Sequence, residues 1–225
     1  MSGFIGVLML DTAFERILGD AGHMGSYHMP VRARVVVRAG SLEIVRDGLP
    51  PPELIAAFCA AARELEAMGA VAITSTCGFL VTVQEQIAQA VRIPVMVSAL
   101  SLFGVLRVAH GGRPIGVLTA SAPSLGRLAQ AAAGIGPEEA RIMGMEDCAA
   151  FAHAFLVAKA DQPAEIDQAE IEAAVVAKAR AMLADEPELG AFLLECGNLP
   201  PYAEAIRAAT QRPVYSILTA AKLLA

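Results

Sequence analysis

The sequence lacks an apolar run long enough to cross a membrane, although 56% of its 225 residues are hydrophobic. Arg, Glu, Gln, Pro or Gly interrupts each apolar stretch before it reaches the roughly 20 residues that a span needs. The first residues, Met1 to Phe4, carry neither the basic segment nor the cleavage site of a signal peptide. We therefore expect a cytoplasmic protein that has no membrane partner and buries a large core.

Clustered positive charge and closely spaced cysteines are also missing. The net charge is −6 and no cluster of Lys or Arg offsets it, so we expect no nucleic-acid partner. Cys59, Cys77, Cys148 and Cys196 show no CxxC or CxxH spacing, which argues against a structural zinc site and against a disulfide scaffold. The sequence has no Gly-rich dinucleotide motif, no P-loop and no metal box. We therefore expect that the protein uses no cofactor.

Short apolar runs alternate with helical patterns along the chain. Runs at 4–10, 70–75 and 114–121 predict buried strands. The segments 53–68 and 164–185 predict helices. This alternation predicts an α/β fold with parallel sheets.

One stretch of the sequence occurs twice. Residues 70–80 run from an apolar strand through hydroxyl residues into Cys77, a glycine and a helix. Residues 190–199 match this stretch when the chain is shifted by 119 positions, which pairs Cys77 with Cys196. A Pro-Val pair follows each cysteine 17 residues later in the same register. The repeat predicts two related halves that each present one thiol from an equivalent position.

Both cysteines are expected at the carboxyl end of a strand and the amino end of a helix. Ligands of α/β proteins bind at such strand ends, and a helix N-terminus lowers the pKa of a thiol. One thiolate can remove a proton α to a carboxylate while the opposite thiol returns a proton to the other face. We therefore expect Cys77 and Cys196 to be the catalytic residues of a cofactor-free proton transfer on a small carboxylate substrate.

Removal of an α-proton places negative charge on the carboxylate oxygens, which hydrogen-bond donors must stabilise. The expected substrate-binding residues, near strand ends or beside the cysteines, are Asp11, Thr12, Thr76, Gly78, Phe79, Thr119, Ser121, Gly197 and Asn198. We expect each glycine to let the backbone approach the ligand closely. For Glu195 the alternatives are a group that tunes the Cys196 thiol and a solvated charge, and for Arg16 they are a partner of the substrate carboxylate and a surface residue.

The stretches 6–12, 73–80, 116–121 and 193–202 resemble the aspartate/glutamate/hydantoin racemase superfamily. The resemblance spans nearly the whole chain. It implies two pseudo-symmetric flavodoxin-like lobes, each a parallel sheet flanked by helices, with the active site in the cleft between them. It also implies a PLP-independent mechanism with the two cysteines as bases, and often a dimer.

The expected lobes cover residues 1–98 and 99–213, and the closing strand and helix at 214–225 are expected to return to the first lobe. The residues that follow the cysteines depart from the superfamily's amino-acid racemases. Those enzymes usually have Asn-Thr after the first cysteine and Thr after the second, where this chain has Gly78-Phe79 and Gly197-Asn198.

The first hypothesis is a racemase or epimerase that inverts a carbon α to a carboxylate. The second keeps the site but changes the reaction to decarboxylation or to maleate-type cis-trans isomerisation. The third is a two-lobed protein that binds a small acid without converting it. A redox disulfide between Cys77 and Cys196 is a further alternative, and it requires Cα atoms within about 7 Å of each other.

Overall fold

The computed structural model describes residues 3–225, so Met1 and Ser2, where the expected first lobe begins, lie outside the described residues. Within this range the strands are β1 (Phe4–Leu10), β2 (Val31–Val36), β3 (Ala70–Ser75), β4 (Ile115–Thr119), β5 (Ala140–Gly144), β6 (Ala191–Leu194) and β7 (Val214–Tyr215). The α-helices are α1 (Ser41–Ile44), α2 (Pro52–Ala67), α3 (Gln84–Gln89), α4 (Phe103–Ala109), α5 (Arg127–Ala132), α6 (Ala149–Phe155), α7 (Gln168–Asp185), α8 (Ala203–Thr210) and α9 (Ile217–Leu224). Short 3-10 helices lie at Met24–Ser26, Gly78–Val83, Ala99–Leu102, Lys159–Asp161 and Pro200–Tyr202.

The strands form two parallel sheets, one in each lobe. The first sheet has the order β2-β1-β3 and the second the order β5-β4-β6-β7. The central strands β1 and β4 are buried along nearly their whole length, as expected for parallel strands covered on both faces. The expected α/β class with two helix-flanked parallel sheets is confirmed.

The sequence repeat corresponds to a repeated structural unit. In the second sheet, Phe192 pairs with Val214. In the first lobe, Ile73 forms a parallel bridge with Val95, and these are the residues that the shift of 119 positions makes equivalent. The first-lobe equivalent of β7 is therefore a single bridge, but its place beside β3 matches that of β7 beside β6.

Each repeated half of the chain ends in a helix that packs on the other lobe, so the two lobes exchange these closing helices. The 3-10 helix Ala99–Leu102 contacts β6 and the following α4 contacts β4, so the end of the first half packs on the second sheet. In return, α9 packs against β3, and its Ala221 lies in an apolar cluster with Ile5 and Val7 of β1. Each exchanged segment begins at a serine, Ser98 or Ser216, whose side chain accepts a backbone hydrogen bond two residues on.

The closing segment 214–225 is thus divided between the lobes. The helix α9 packs on the first lobe, whereas β7 pairs with β6 in the second sheet. None of the helices in residues 3–225 combines the length and the apolar character needed to cross a bilayer.

Two element boundaries differ from the sequence expectation. The long helix α7 begins at Gln168 instead of 164, because the Asp167 side chain caps it by accepting a hydrogen bond from the Glu170 N–H. The residue after Cys77 opens a 3-10 helix, and regular α-helix starts only at Gln84.

Glycines at matching positions of the two central strands allow neighbouring side chains to pack directly onto the backbone. A Cβ at Gly6 of β1 would lie 2.7 Å from Ile73 Cδ1, and a Cβ at Gly116 of β4 would lie 2.8 Å from the Phe192 ring. Both distances are shorter than ordinary contacts between carbon atoms.

We predict that Gly116→Ala lowers the free energy of unfolding by about 1–3 kcal/mol, because the Phe192 side chain is fully buried and its ring must shift. The matched control is Gly104→Ala on the exposed side of α4, where no described atom lies within 4 Å of the new Cβ. This control should raise the free energy of unfolding by about 0.5–1 kcal/mol. Chemical denaturation measures both effects, and equal effects would contradict the proposed overpacking.

Candidate active site

The loops that follow β3 and β6 contact each other at the two glycines next to the cysteines. A Cβ added at Gly78 would overlap the carbonyl oxygen of Glu195, and one added at Gly197 would overlap the carbonyl oxygen of Thr76. Each glycine therefore packs against the backbone that precedes the other cysteine. The structure thus requires glycine at both positions for contact between the lobes, where we had expected approach to a ligand.

This contact brings both cysteines to one cavity between the lobes. Cys77 and Cys196 line it and are 7% and 8% exposed. The cavity volume of about 20 Å³ corresponds to about one water molecule. A substrate with several carbon atoms can bind only after the walls move apart.

A neighbouring surface depression indicates where the cavity opens. The depression has a volume of about 200 Å³ and shares Ser41, Val45 and Leu156 with the cavity wall. These residues come from α1, the turn after it and the end of α6, so both lobes contribute to the boundary. Movement of this boundary would connect the thiols to solvent.

The cavity collects six of the eleven residues expected at the site, namely Thr12, Thr76, Cys77, Phe79, Cys196 and Asn198. Ser121 lies in the neighbouring depression. Thr119 lies behind the cavity, where its hydroxyl donates to Glu195 at 2.8 Å. The two glycines form the contact between the loops.

Asp11 does not face this cavity. Its carboxylate accepts hydrogen bonds from Lys159 Nζ at 2.5 Å and from the Arg38 backbone N–H at 3.0 Å. The hydrogen bond with Lys159 is the main reason that the pKa of Asp11 lies below its usual value. The expectation that Asp11 shares the crevice with Cys77 is therefore wrong for this structure, because an ion pair holds the side chain in a separate depression.

The expected lowering of the thiol pKa is also wrong for this structure. Burial, and then the negative charge of Glu195, raise the pKa of both Cys77 and Cys196. The backbone N–H groups of Phe79 and Leu80 do act on Cys77 in the expected direction, but they are outweighed. In the closed structure all four cysteines are free, and the two in the cavity favour the protonated form.

A chain of hydrogen bonds fixes the Cys196 thiol. The thiol donates to Asn198 Oδ1 at 3.4 Å, and Asn198 Nδ2 donates to Asp20 Oδ2 at 2.6 Å. The other Asp20 oxygen accepts from Arg16 Nη1 at 2.9 Å and from the Gly22 N–H. Because Asp20 accepts only, it turns the amide so that an oxygen faces the sulfur.

Glu195 is the main functional candidate that we did not place in the site. Its side chain is 1% exposed, and Oε2 accepts from the Thr119 hydroxyl at 2.8 Å and the Ala120 N–H at 3.3 Å. Oε1 is buried and has no hydrogen-bond partner among the described residues. Burial raises the pKa of Glu195 to about 7.

The repeat contained a signal for Glu195. Shifting Thr76, an expected site residue, by 119 positions leads to Glu195. No comparable signal marked the aromatic wall, where Phe14 and Phe155 meet edge to face with centroids 4.7 Å apart. Arg16, which we had weighed as a carboxylate partner, lines the cavity.

We predict that Asp20→Asn destabilises the protein by about 3 kcal/mol, because an amide NH₂ would face a donor in place of one of the two accepting oxygens. Asp161→Asn on an exposed 3-10 helix serves as the control and should change stability by less than about 0.5 kcal/mol. Thermal and chemical denaturation test the difference. A stable Asp20→Asn protein would show that the network does not fix this loop.

We predict that the stability contributed by Glu195 depends on pH. The ordinary pKa of a glutamate carboxyl is about 4.5, and burial raises the pKa of Glu195 to about 7 in the folded protein, so the folded state binds more protons between these values. The free energy of unfolding should therefore fall as pH rises from 4.5 to 7, by up to about 3 kcal/mol more in the wild type than in Glu195→Gln. The exposed Glu188→Gln should follow the wild type, and parallel curves for all three proteins would refute the assignment.

Known structures share this fold. Allantoin racemase from Klebsiella pneumoniae matches with a TM-score of 0.65 and 14% identity, over 99% of this chain and 86% of that chain. Unliganded arylmalonate decarboxylase matches with a TM-score of 0.59 and 16% identity, over 99% of this chain and 90% of that chain. These likenesses show that the chain has the two-lobed fold of the racemase superfamily that the sequence resembles.

Proteins that are similar in sequence identify the family of the chain. The chain is 31% identical over 224 residues to a dimethylsulfoniopropionate lyase of Durusdinium sp. clade D, covering 96% of this chain and 72% of the relative. It is 33% identical over 225 residues to dimethylsulfoniopropionate lyase 7 of Emiliania huxleyi (strain CCMP1516), covering 96% of this chain but only 64% of that relative. No family model matches the chain. Because the chain is 31% identical to the first of these relatives and covers more than two thirds of its length, the chain belongs to the dimethylsulfoniopropionate lyase family.

Proposed function

We propose that this protein is a lyase that removes a proton α to a carboxylate and expels a β leaving group, with dimethylsulfoniopropionate as the substrate. The observation that carries the proposal is the buried cavity that contains both Cys77 and Cys196. The similarity to lyases over 96% of the chain supports elimination over the racemisation that the sequence alone suggested.

The geometry suggests different roles for the two thiols. Two backbone N–H groups, those of Phe79 and Leu80, interact with Cys77 and favour its thiolate, whereas one, that of Asn198, interacts with Cys196, so Cys77 is the candidate base. Cys196 keeps its proton in a hydrogen bond to Asn198 Oδ1, so it is the candidate group that would turn this single S–H from Asn198 to the substrate carboxylate. This donor would stabilise the charge that develops on the carboxylate during proton removal.

Elimination from dimethylsulfoniopropionate needs only one base, and all protons and electrons are accounted for as follows. The Cys77 thiolate takes the α-proton, and the electrons of the C–H bond form the carbon–carbon double bond. The C–S bond breaks, and its electron pair stays with sulfur, which leaves as neutral dimethyl sulfide. Acrylate remains, and the Cys77 thiol returns its proton to solvent before the next turnover.

Racemisation is the second candidate, and one observation favours it. Elimination needs one base, whereas inversion of a carbon needs a second group that returns a proton from the other face. The cavity contains a second thiol, Cys196, that can do so. Decarboxylation remains a third candidate on the same fold.

We predict that the purified protein releases dimethyl sulfide from dimethylsulfoniopropionate, as measured by headspace gas chromatography. Cys77→Ala and Cys196→Ala should each lower kcat/KM by roughly 100-fold or more, because each removes a group that acts on the substrate. Cys59→Ala and Cys148→Ala are matched controls outside the cavity and should retain activity within a few fold.

Parallel incubations in heavy water separate the candidates. Deuterium gain at the α-carbon of aspartate, glutamate or a hydantoin without dimethyl sulfide release would favour racemisation. Turnover of substituted malonates or maleate would favour decarboxylation or isomerisation. Equal activity of all four alanine variants would exclude the cysteine mechanism.

A further inference from the structure

The two halves of the chain allow an internal comparison at the site. The Thr76 N–H donates to the Leu8 carbonyl, and the Thr76 hydroxyl accepts from the Leu10 N–H at 3.1 Å. In the second half, the N–H of the equivalent Glu195 donates to the Leu118 carbonyl, and Glu195 Oε2 accepts from the Ala120 N–H. Both side chains therefore receive the backbone N–H at the end of the central strand.

A threonine is sufficient for this structural task in the first half. Glu195 has a second oxygen, Oε1, which lies buried beside Gly78 and has no hydrogen-bond partner within residues 3–225. Burying a carboxylate without a partner is costly, so structural needs alone do not account for a glutamate here. Oε1 is therefore available to a ligand in the cavity that Glu195 lines.

The charges around the cavity indicate the kind of ligand. Among the described lining residues, Arg16 is the single cation, and its guanidinium already donates to Asp20 and to the Thr12 hydroxyl. No other described cation lines the cavity to neutralise Glu195. A carboxylate in this position is complementary to a ligand that brings its own positive charge.

We propose that Glu195 is the counter-ion of the substrate's positively charged onium group, and so determines specificity for sulfonium over uncharged leaving groups. This inference rests on the proposed lyase function and names the residue that recognises the sulfonium end of the substrate. A sulfonium has no N–H or O–H, so it pairs with a carboxylate through charge and needs no directed hydrogen bond. The edge-to-face pair of Phe14 and Phe155 lines the same cavity and offers an apolar surface for its methyl groups.

A cation paired with Glu195 would also change the pKa of the thiols. Burial and the charge of Glu195 disfavour a thiolate in the empty site. A cation bound beside Glu195 offsets that negative charge and lowers the thiol pKa. The base would then form when the substrate binds, and the closed empty site would remain unreactive.

Cation binding is expected to release a proton. The titratable or charged groups that line the cavity with Glu195 are Cys77 on the loop after β3, Cys196 on its own loop, and Arg16 on the loop after β1, which is paired with Asp20. The end of β4 contributes only Thr119 and the Ala120 N–H. With the pKa of Glu195 at about 7 in the empty site, a bound cation favours ionised Glu195, so binding just below neutral pH displaces its proton.

The test compares two ligands of the same shape. Trimethylammoniopropionate carries a permanent positive charge, and its isostere has carbon in place of nitrogen. Isothermal titration calorimetry with the wild type should show that the cation binds roughly tenfold or more tightly than the isostere. In Glu195→Gln the ratio should fall to about one, whereas the matched control Glu188→Gln should keep the wild-type ratio.

A second measurement uses the wild type alone, so it tests the proposal even if Glu195→Gln fails to fold. Calorimetry in buffers of different ionisation enthalpy should detect proton release with the cation and none with the isostere. A wild type without preference for the cation, a preference that persists in Glu195→Gln, or equal proton release with both ligands would overturn the proposal.

Failure of this inference is distinguishable from failure of the lyase function. Dimethyl sulfide release with no preference for the cation would refute the role of Glu195 and leave the lyase function intact. Preference for the cation without dimethyl sulfide release would support the onium site and refute the proposed reaction.

Discussion

The site depends on the close backbone contact between the two cysteine loops. Gly78 packs against the carbonyl oxygen of Glu195, and Gly197 packs against that of Thr76. Because each contact joins one lobe to the residue before the other lobe's cysteine, neither loop can move without disturbing both thiols. The hydrogen bond from the Ala21 N–H to the Gly197 carbonyl further ties the first lobe to the second cysteine loop.

The exchange of closing helices adds a second connection between the lobes, away from the cysteine loops. Each half contributes a helix to the other lobe, so the apolar surface that holds the lobes together involves both ends of the repeat. The lobes are consequently joined both at the cysteine loops and through α4 and α9. Opening of the cavity would then be a movement at its rim, where Ser41, Val45 and Leu156 border the surface depression.

The cavity combines two buried thiols with a buried carboxylate and a neutralised arginine–aspartate pair. Such a site is unfavourable for additional negative charge, as the raised pKa values of the cysteines and Glu195 indicate. A site that binds a dianionic acid would instead contain several cationic side chains, whereas the described lining of this cavity contains only Arg16. The balance of charge is consistent with a zwitterionic substrate, whose positive end compensates the carboxylate that the site already contains.

Much of the fold was predictable from local sequence patterns. The apolar runs predicted the central strands, and the shift of 119 positions predicted a duplicated unit that the equivalent pairs Ile73–Val95 and Phe192–Val214 confirm. The division of 214–225 between the lobes was not predictable, because strand pairing and helix packing over such distances leave no local pattern. The convergence of Thr12, Thr76 and Asn198 on the cysteines followed from their positions at strand ends.

The sequence by itself determined the α/β class, the internal repeat and the pair of cysteines, because periodicity and register are properties of the chain. Only the tertiary structure decided the environment of those groups. It paired Asp11 with Lys159 outside the cavity and buried both thiols so that their pKa values rise. It also left one oxygen of Glu195 without a hydrogen-bond partner among residues 3–225. Burial and charge pairing depend on residues distant in sequence, which is why no local motif could reveal them.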